Sequence, residues 1–184
     1  MKSAKWTSQA AVVLAAAAAV LAGPVSGHAV SPAAGPDATT PPVPDRLKVP
    51  AGNKPVASLA AKGVQTYTCA KRSWTLLEPA ATLWRSDDSR HTPVAIHTRG
   101  PVWVSTVDGS AVKGAVVASA PHKDAVPQLL LKATAHRGDG LLAKVSYVQR
   151  LSTRDGQAPT TACTGTSQTS VAYSALYVFY APKR

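Results

Sequence analysis

The sequence has few acidic residues and few of the side chains from which catalytic motifs are built. It contains 9 Asp and Glu against 20 Lys and Arg, with two cysteines, one methionine and one phenylalanine. It has no compact histidine pair such as H-x-H or H-E-x-x-H, and no G-x-S-x-G nucleophile elbow. With no histidines at ligand spacing, two cysteines are also too few for a structural zinc site. We therefore expect no metal and no cofactor.

Only one apolar run is long, and it lies near the amino terminus at Ala10–Ala22. Lysines precede it, and a small-residue site follows, with Gly27 at −3 and Ala29 at −1 of a cleavage point, as in a secretory signal peptide. The run is shorter than the roughly 20 residues that span a bilayer. The sequence predicts a signal peptide over 1–29, secretion, and no stable membrane insertion after cleavage. An uncleaved anchor is the alternative.

The positive charge is large and scattered. The formal net charge is +11, and removing Lys2 and Lys5 with the signal peptide would leave about +9. A basic exported protein is drawn to anionic surfaces, which makes an anionic cell-wall or surface polymer the expected partner. The charges do not form a block, and export removes a genomic target, so no nucleic acid is expected. A solvated basic surface without a partner is the alternative.

Beyond the signal peptide the chain divides into a linker and one domain. Residues 30–46 are rich in Pro and Ala and lack periodicity, which indicates a disordered linker. Residues 47–184 are long enough for one domain with its own core.

Short alternating or apolar segments rich in β-branched and aromatic residues predict strands throughout this domain. They are 55–59, 64–69, 73–77, 81–85, three strands within 94–117, then 128–133, 141–151 and 171–180. Glu78-Pro79 is predicted to break a strand, 118–126 to be a polar connection and 152–168 a long loop. The last segment is apolar on both faces, as in a strand covered on both sides. The pattern predicts an all-β fold, a single antiparallel sandwich or barrel-like domain.

The two cysteines, Cys69 and Cys163, both lie in the exported portion. An oxidising compartment predicts one disulfide, which closes the domain by fastening the 64–69 strand to the loop before the last strand. In the chain-entropy model a loop of this length contributes on the order of 4 to 5 kcal/mol.

The stretch Val94–Gly114 carries the main site candidates. It reads as a meander whose polar residues His97, Arg99 and Asp108 lie beside turns, where rigid sheets often build sites. His97 and Asp108, with Ser105 or Ser110, are candidates for a hydrolytic set, because a carboxylate can orient an imidazole that activates a hydroxyl. The alternative is a turn histidine satisfied by backbone groups.

Other candidates lie on single strands. Arg150 is a third catalytic candidate; it is placed on a polar strand face, where an ion pair with Asp108 or Glu78 is the structural alternative. Trp103 and Arg99 are candidates for binding. Trp103 would stack sugars together with the other strand tryptophans, although aromatics at alternating positions are more often core.

Gly138–Ala143 matches the G-x-G-x-x-A form of a dinucleotide fingerprint. The fingerprint requires a following helix within a βαβ unit, whereas strands are predicted on both sides. A turn is therefore predicted here.

Several segments together resemble a known family. They are Gly63–Cys69 with Trp74, His97 with Gly100–Trp103, Asp108–Ser110, Pro127–Leu131, Val148–Thr153 and Tyr173–Tyr180. They are similar to the secreted bacterial and fungal proteins grouped as domain of unknown function 3455. The resemblance runs from about Leu47 to Tyr180. It implies one secreted domain and brings no catalytic residues.

Two functions follow as expectations. The first is a secreted interaction module that binds a cell-surface polymer or another extracellular partner through a basic, partly aromatic surface. The second is a small secreted hydrolase or other enzyme centred on His97 and Asp108.

Overall fold

Eight antiparallel strands form one closed barrel. The computed structural model describes residues 43–184, so the predicted signal peptide and residues 30–42 of the predicted linker lie outside the described residues. A 3-10 helix (Asp45–Leu47) precedes the strands, which are β1 (Asn53–Ala70), β2 (Ser73–Arg85), β3 (Ala95–Thr98), β4 (Val102–Ser105), β5 (Ala111–His122), β6 (Ala125–Arg137), β7 (Tyr147–Asp155) and β8 (Gln168–Pro182). Each strand pairs with the next and β8 pairs with β1, in up-and-down order. The predicted all-β antiparallel fold is confirmed, with the barrel as its form.

Within residues 43–184, the structure contains no helix of the length and apolarity that crossing a membrane requires.

The first two strands are longer than predicted. The segments 55–59 and 64–69 are parts of β1, and the expected break at Pro79 lies inside β2. Leu83 turns its backbone oxygen toward the β3 side, where it accepts a hydrogen bond from Val94 N–H at 2.8 Å. The N–H and C=O groups of successive residues point to alternate sides of a strand, so the backbone of Pro79, four residues before Leu83, also points to the β3 side. Pro79 lies outside residues 81–83, which are the residues of β2 that pair with β3. Its missing N–H therefore deprives no neighbour of a bond.

Two predicted boundaries between β5 and β7 are wrong. The predicted connection 118–126 is mostly strand, because β5 continues to His122 and β6 begins at Ala125. The predicted strand 141–151 begins only at Tyr147. Residues 138–146 form a loop with turn bonds from Ala143 N–H to Gly140 O at 3.2 Å and from Val145 N–H to Leu142 O at 3.4 Å. The apolar residues there follow the spacing of a tight turn, which resembles alternation over so short a stretch.

Two apolar layers account for the strands that are apolar on both faces. The barrel interior is filled by large side chains, which include Leu59, Leu83, Trp103, Leu131, Val148, Tyr177 and Phe179. The second layer lies outside the barrel, where Leu47 and the residues around it pack on Leu130, Leu151 and Val178. Residues of β8 thus contact apolar groups on both faces, as the sequence predicted for 171–180.

The two ends of the barrel differ in how they are covered. At one end lie the turns 71–72, 99–101 and 123–124 and the loop 156–167, and we call this the open end. At the other lie the loops 86–94, 106–110 and 138–146, and we call this the closed end. Leu142 and Val145 of the last loop are fully buried and belong to the interior core. The closed end is therefore sealed by apolar side chains.

A short hairpin leaves a gap in the barrel wall at the open end. β3 and β4 have four residues each, whereas their outer neighbours β2 and β5 have 13 and 12. β3 pairs with β2 only at residues 81–83, and β4 pairs with β5 only at residues 111–113. Residues 73–80 of β2 and 114–122 of β5 thus continue past the hairpin without a strand between them.

The predicted disulfide between Cys69 and Cys163 is present, with the two Cα atoms 5.7 Å apart. It ties the end of β1 to the loop 156–167. Trp74 Nε1 donates to Thr161 O at 3.0 Å, and Tyr67 Oη donates to Gly156 O at 2.6 Å, so side-chain bonds as well as the bridge hold the loop to the open end.

Candidate functional site

The gap leads into a cavity of about 240 Å³ inside the open end. Strands from all around the barrel contribute to its wall, which is formed by Gln65, Leu76, Leu77, Glu78, Pro79, His97, Gly100, Pro101, Trp103, Val116, Leu129, Leu131, Arg150 and Tyr177. Its size is below the roughly 300 to 1,000 Å³ of pockets for drug-sized ligands. The site therefore fits a compact molecule or the end of a longer one.

His97 lies on β3 with its ring inside the barrel and only 3% exposed. The ring stacks on Trp103, with ring centroids 4.5 Å apart and planes within 4°, and meets Tyr177 edge-on. Burial lowers the pKa of His97 to about 4, and the nearby Arg150 charge also lowers it. The hydrogen bond with the Val102 carbonyl acts in the opposite direction and raises the pKa, but its effect is smaller. The imidazole is therefore neutral at pH 7. Since Nδ1 lies 3.0 Å from Val102 O, it carries the proton, and Nε2 is left as an acceptor.

Two buried donors in the cavity wall have no partner. Gln65 on β1 and Trp103 on β4 are each 1% exposed. Within residues 43–184, neither Gln65 Nε2 nor Trp103 Nε1 has a hydrogen-bond partner. Buried polar groups are bonded in the great majority of cases, so two orphans in one small cavity call for an explanation.

Arg150 lies on the inner face of β7 and contributes a permanent positive charge to the cavity wall. Its Nε and Nη2 donate to Pro127 O at 3.1 and 2.9 Å. Among residues 43–184 the guanidinium makes no salt bridge, neither with Glu78 nor with Asp108. The predicted polar face and ion pair are therefore wrong. Residue 150 follows Val148 on the interior face, and the bonds to Pro127 O hold it there.

Three tyrosines surround this charge. Burial raises the pKa of Tyr67, Tyr173 and Tyr177, and the Arg150 charge opposes the rise in each. The hydroxyls of Tyr173 and Tyr177 lie 3.4 Å apart. All three are neutral at physiological pH, so they supply hydroxyl groups and no negative charge to balance Arg150.

Apolar side chains form the rim of the cavity. Leu76 on β2 and Val116 on β5 face each other across the gap and are 51% and 53% exposed. Glu78 is the only acidic residue in the wall and is half-buried. The cavity wall therefore combines one basic and one acidic side chain with a few neutral polar groups in a mostly apolar lining, and its entrance is apolar.

Asp108 belongs to the closed end. It lies in the loop after β4, where its carboxylate accepts bonds from Ser110 Oγ at 2.6 Å, Ser110 N–H at 2.9 Å and Leu141 N–H at 2.9 Å. The Ser110 hydroxyl hydrogen bond and the Leu141 and Ser110 backbone bonds hold the pKa of Asp108 well below its usual range. Asp108 thus joins two loops. The structure does not bring it together with His97, and the predicted pairing of the two in a hydrolytic set is wrong.

The remaining candidates are separated. Arg99 is exposed in the turn between β3 and β4, beside the rim residues Gly100 and Pro101 but outside the cavity wall. The tryptophans form no common platform, because Trp103 is inside the barrel, Trp74 binds the disulfide loop, and Trp84 packs on His91 with ring centroids 4.6 Å apart.

Gln65 and Tyr177 are polar wall residues that were not among the candidates from the sequence. The inward positions of β1 are Leu59, Ala61, Gly63 and then Gln65, so a polar residue continues an apolar alternation. An amide at a core position is a usable signal of a buried polar site. Tyr177 gave no such signal, because tyrosine at an inward position is equally typical of core.

Among residues 43–184 no group of three or more His, Cys, Asp or Glu side chains is close enough to hold a metal ion.

Fold and site together define an up-and-down barrel with a small cavity, lined by apolar and a few polar side chains, open at one end. The chain belongs to the family described as "Protein of unknown function (DUF3455)", whose model matches residues 50–181. The match includes the whole cavity wall. No curated protein and no solved structure matches the chain.

Proposed function

We propose that this protein is an exported binding module that takes a small ligand, or the end of a larger one, into the cavity at the open end. The observation that carries the proposal is the pair of orphaned donors, Gln65 Nε2 and Trp103 Nε1, in one cavity wall. A closed barrel of this size can fill its interior with side chains. Here apolar side chains seal the closed end, while the open end keeps a cavity with unused hydrogen-bonding groups.

Binding is favoured over hydrolysis by the state of His97. A general base works best when its pKa is near the working pH, and that of His97 is about 4. Its Nδ1 proton is committed to Val102 O, and the Asp108 carboxylate bonds Ser110 and Leu141 instead. The hydrolase alternative therefore draws no support from either residue.

Blocking the entrance tests the proposal. Val116→Trp places a large ring at the rim, and Val117→Trp is its matched control, since Val117 is equally exposed but absent from the cavity wall. A panel of small neutral and charged aromatic and aliphatic compounds is screened by ligand-observed NMR. We expect binding by the wild type and Val117→Trp and none by Val116→Trp. No binder in the panel, or equal binding by both variants, would contradict the proposal.

Export is part of the proposal and is supported by the signal-peptide pattern of residues 1–29 and by the disulfide, a bond typical of oxidising compartments. Expression of the full chain in a secreting bacterial host should yield a culture-medium protein whose mass corresponds to a start at Val30. Retention in the cells at full-chain mass would contradict it.

An anionic cell-surface polymer is a second candidate ligand. Lys54, Lys144 and Arg184 surround a shallow depression of about 580 Å³ at the closed end. We expect co-sedimentation with polygalacturonate at low salt that is lost when all three are replaced by Gln, and kept when Lys62, Lys71 and Arg72 are replaced. Absence of co-sedimentation at low salt would reject this candidate.

A further inference from the structure

We propose that the open-end cavity binds the carboxylate of a compact organic acid, with Arg150 pairing the charge and Gln65 and Trp103 donating to its oxygens. This inference rests on the proposed function, because it names the class of ligand that the same cavity takes.

The charge in the cavity wall requires a partner. Arg150 is half-buried, cannot lose its proton and makes no salt bridge within residues 43–184. Its Nε and Nη2 share one acceptor, the oxygen of Pro127, which fixes the guanidinium plane. The guanidinium also interacts with the Tyr177 hydroxyl, which carries no charge to balance it. A planar guanidinium held in place is suited to a carboxylate.

The orphaned groups in the wall are both donors. Gln65 offers the N–H₂ of its amide, and Trp103 offers an indole N–H that can only donate. Each is 99% removed from solvent, and together with Arg150 they belong to one cavity. The complement of three donors is a set of acceptor oxygens. A carboxylate supplies two oxygens with about four acceptor positions, and its negative charge balances that of Arg150.

The rest of the ligand is apolar and small. Leu76, Leu77, Pro101 and Leu129 form the outer wall, and Leu76 and Val116 expose about half of their surface at the entrance. A volume of about 240 Å³ equals that of about eight waters in the liquid, each with a share of roughly 30 Å³. One ring or a short branched chain fills it. The class of ligand is thus a compact aromatic or branched aliphatic monocarboxylate.

Benzoate is the probe, and benzamide, with the same ring and almost the same shape but no charge, is its control. Each is titrated into the ¹⁵N-labelled full disulfide-bonded domain and followed at the Trp103 indole N–H. We expect saturable binding of benzoate that is roughly tenfold or more tighter than that of benzamide, as the loss of a charge-assisted pair predicts.

Arg150→Gln should weaken benzoate binding by roughly tenfold or more. Arg154→Gln is the matched control, since Arg154 lies on the same strand, is exposed and lies outside the cavity wall, and it should leave binding unchanged. If Arg150→Gln does not fold, the ratio of benzoate to benzamide affinity in the wild type decides whether the cavity recognises the carboxylate.

The outcomes separate the two proposals. Equal binding of benzoate and benzamide, or equal effects of the two arginine substitutions, would overturn the carboxylate and leave a ligand-binding cavity in place. Binding of benzoate that Val116→Trp does not block would place it on the basic exterior and overturn the inference. If neither probe binds and the screening panel also contains no binder, the inference and the proposed function both fall.

Discussion

The two ends of this barrel use polar side chains in opposite ways. At the closed end, Asp108 and Ser110 are joined to each other and to the backbone of Leu141 and Leu142, above an apolar seal. At the open end, Gln65 and Trp103 are as buried as Ser110, yet their nitrogens have no partner in the described part of the chain. The closed end thus satisfies this pair of polar side chains, whereas the open end leaves two buried donors available.

This difference separates stability from function within one sheet. A satisfied buried bond contributes about 1 kcal/mol, whereas an unsatisfied buried group costs about 1 to 3 kcal/mol. Polar groups at the closed end are thus part of what holds the fold. The two unsatisfied nitrogens at the open end reduce its stability, which is the pattern expected where a ligand completes the bonding.

The largest expected effect concerns the covalent tie at the open end. Replacing Cys69 and Cys163 together by Ser removes a bridge that spans 94 residues. We expect a loss of about 2 to 5 kcal/mol of unfolding free energy, since the unfolded chain gains entropy. Urea denaturation of the oxidised wild type and the double variant measures it. A change below about 1 kcal/mol would show that the remaining bonds hold the loop without the bridge.

The next effect is a dependence on pH that arises at the open end. Burial lowers the folded-state pKa of His97 to about 4 from an ordinary 6.5. The unfolded chain therefore binds the proton first as pH falls, so stability is full above pH 6.5 and declines toward pH 4. The decline amounts to about 3 kcal/mol. Denaturation between pH 7 and 4 checks it, and His97→Gln should flatten the curve. An equal slope in the variant would assign the effect to other groups.

At the closed end a single hydroxyl should matter. Ser110 Oγ donates to Asp108 and accepts from Leu142 N–H at 3.0 Å, and the residue is fully buried. Ser110→Ala leaves that N–H without an acceptor, and we expect a loss of about 1 to 3 kcal/mol. Ser119→Ala, at an exposed position of β5, should change stability by less than about 0.5 kcal/mol. Equal effects of the two substitutions would remove the contrast between the ends.

The smallest effect is expected for an amide at the open end. Gln65→Met removes an unpartnered donor and fills similar space, so unfolding free energy should stay the same or rise by up to about 1 kcal/mol. Gln149→Met is the matched control. Gln149 is also buried but donates to Leu47 O at 2.6 Å and accepts from Tyr180 Oη at 3.0 Å, so its loss should destabilise. A large loss in Gln65→Met would mean that its amide is already satisfied.

Local patterns in the sequence predicted much of the fold. The two-sided apolar segment 171–180 predicted a strand covered on both faces, and it is β8 under the residues around Leu47. The disulfide followed from cysteine count and compartment alone. The error at 141–146 arose because apolar residues in a tight turn resemble the alternation of a strand. Extending that alternation to residue 150 placed Arg150 on the wrong face of its strand.

The site was less predictable, because it depends on contacts between distant strands. His97 and Trp103 are paired neighbours in one hairpin, so a local pattern could place them together. Arg150 and Gln65 reach them only after β7 and β1 close the barrel through β8. The role of Asp108 depends on Leu141, 33 residues away along the chain. No local periodicity in the sequence predicts these contacts between distant residues.

The most direct test of the contrast between the ends is a crystal structure of the disulfide-bonded domain grown with benzoate. We predict that its carboxylate lies within hydrogen-bond distance of Arg150, Gln65 Nε2 and Trp103 Nε1, with the ring between Leu76 and Leu129. A cavity that holds only water while benzoate is present at saturating concentration would contradict the account.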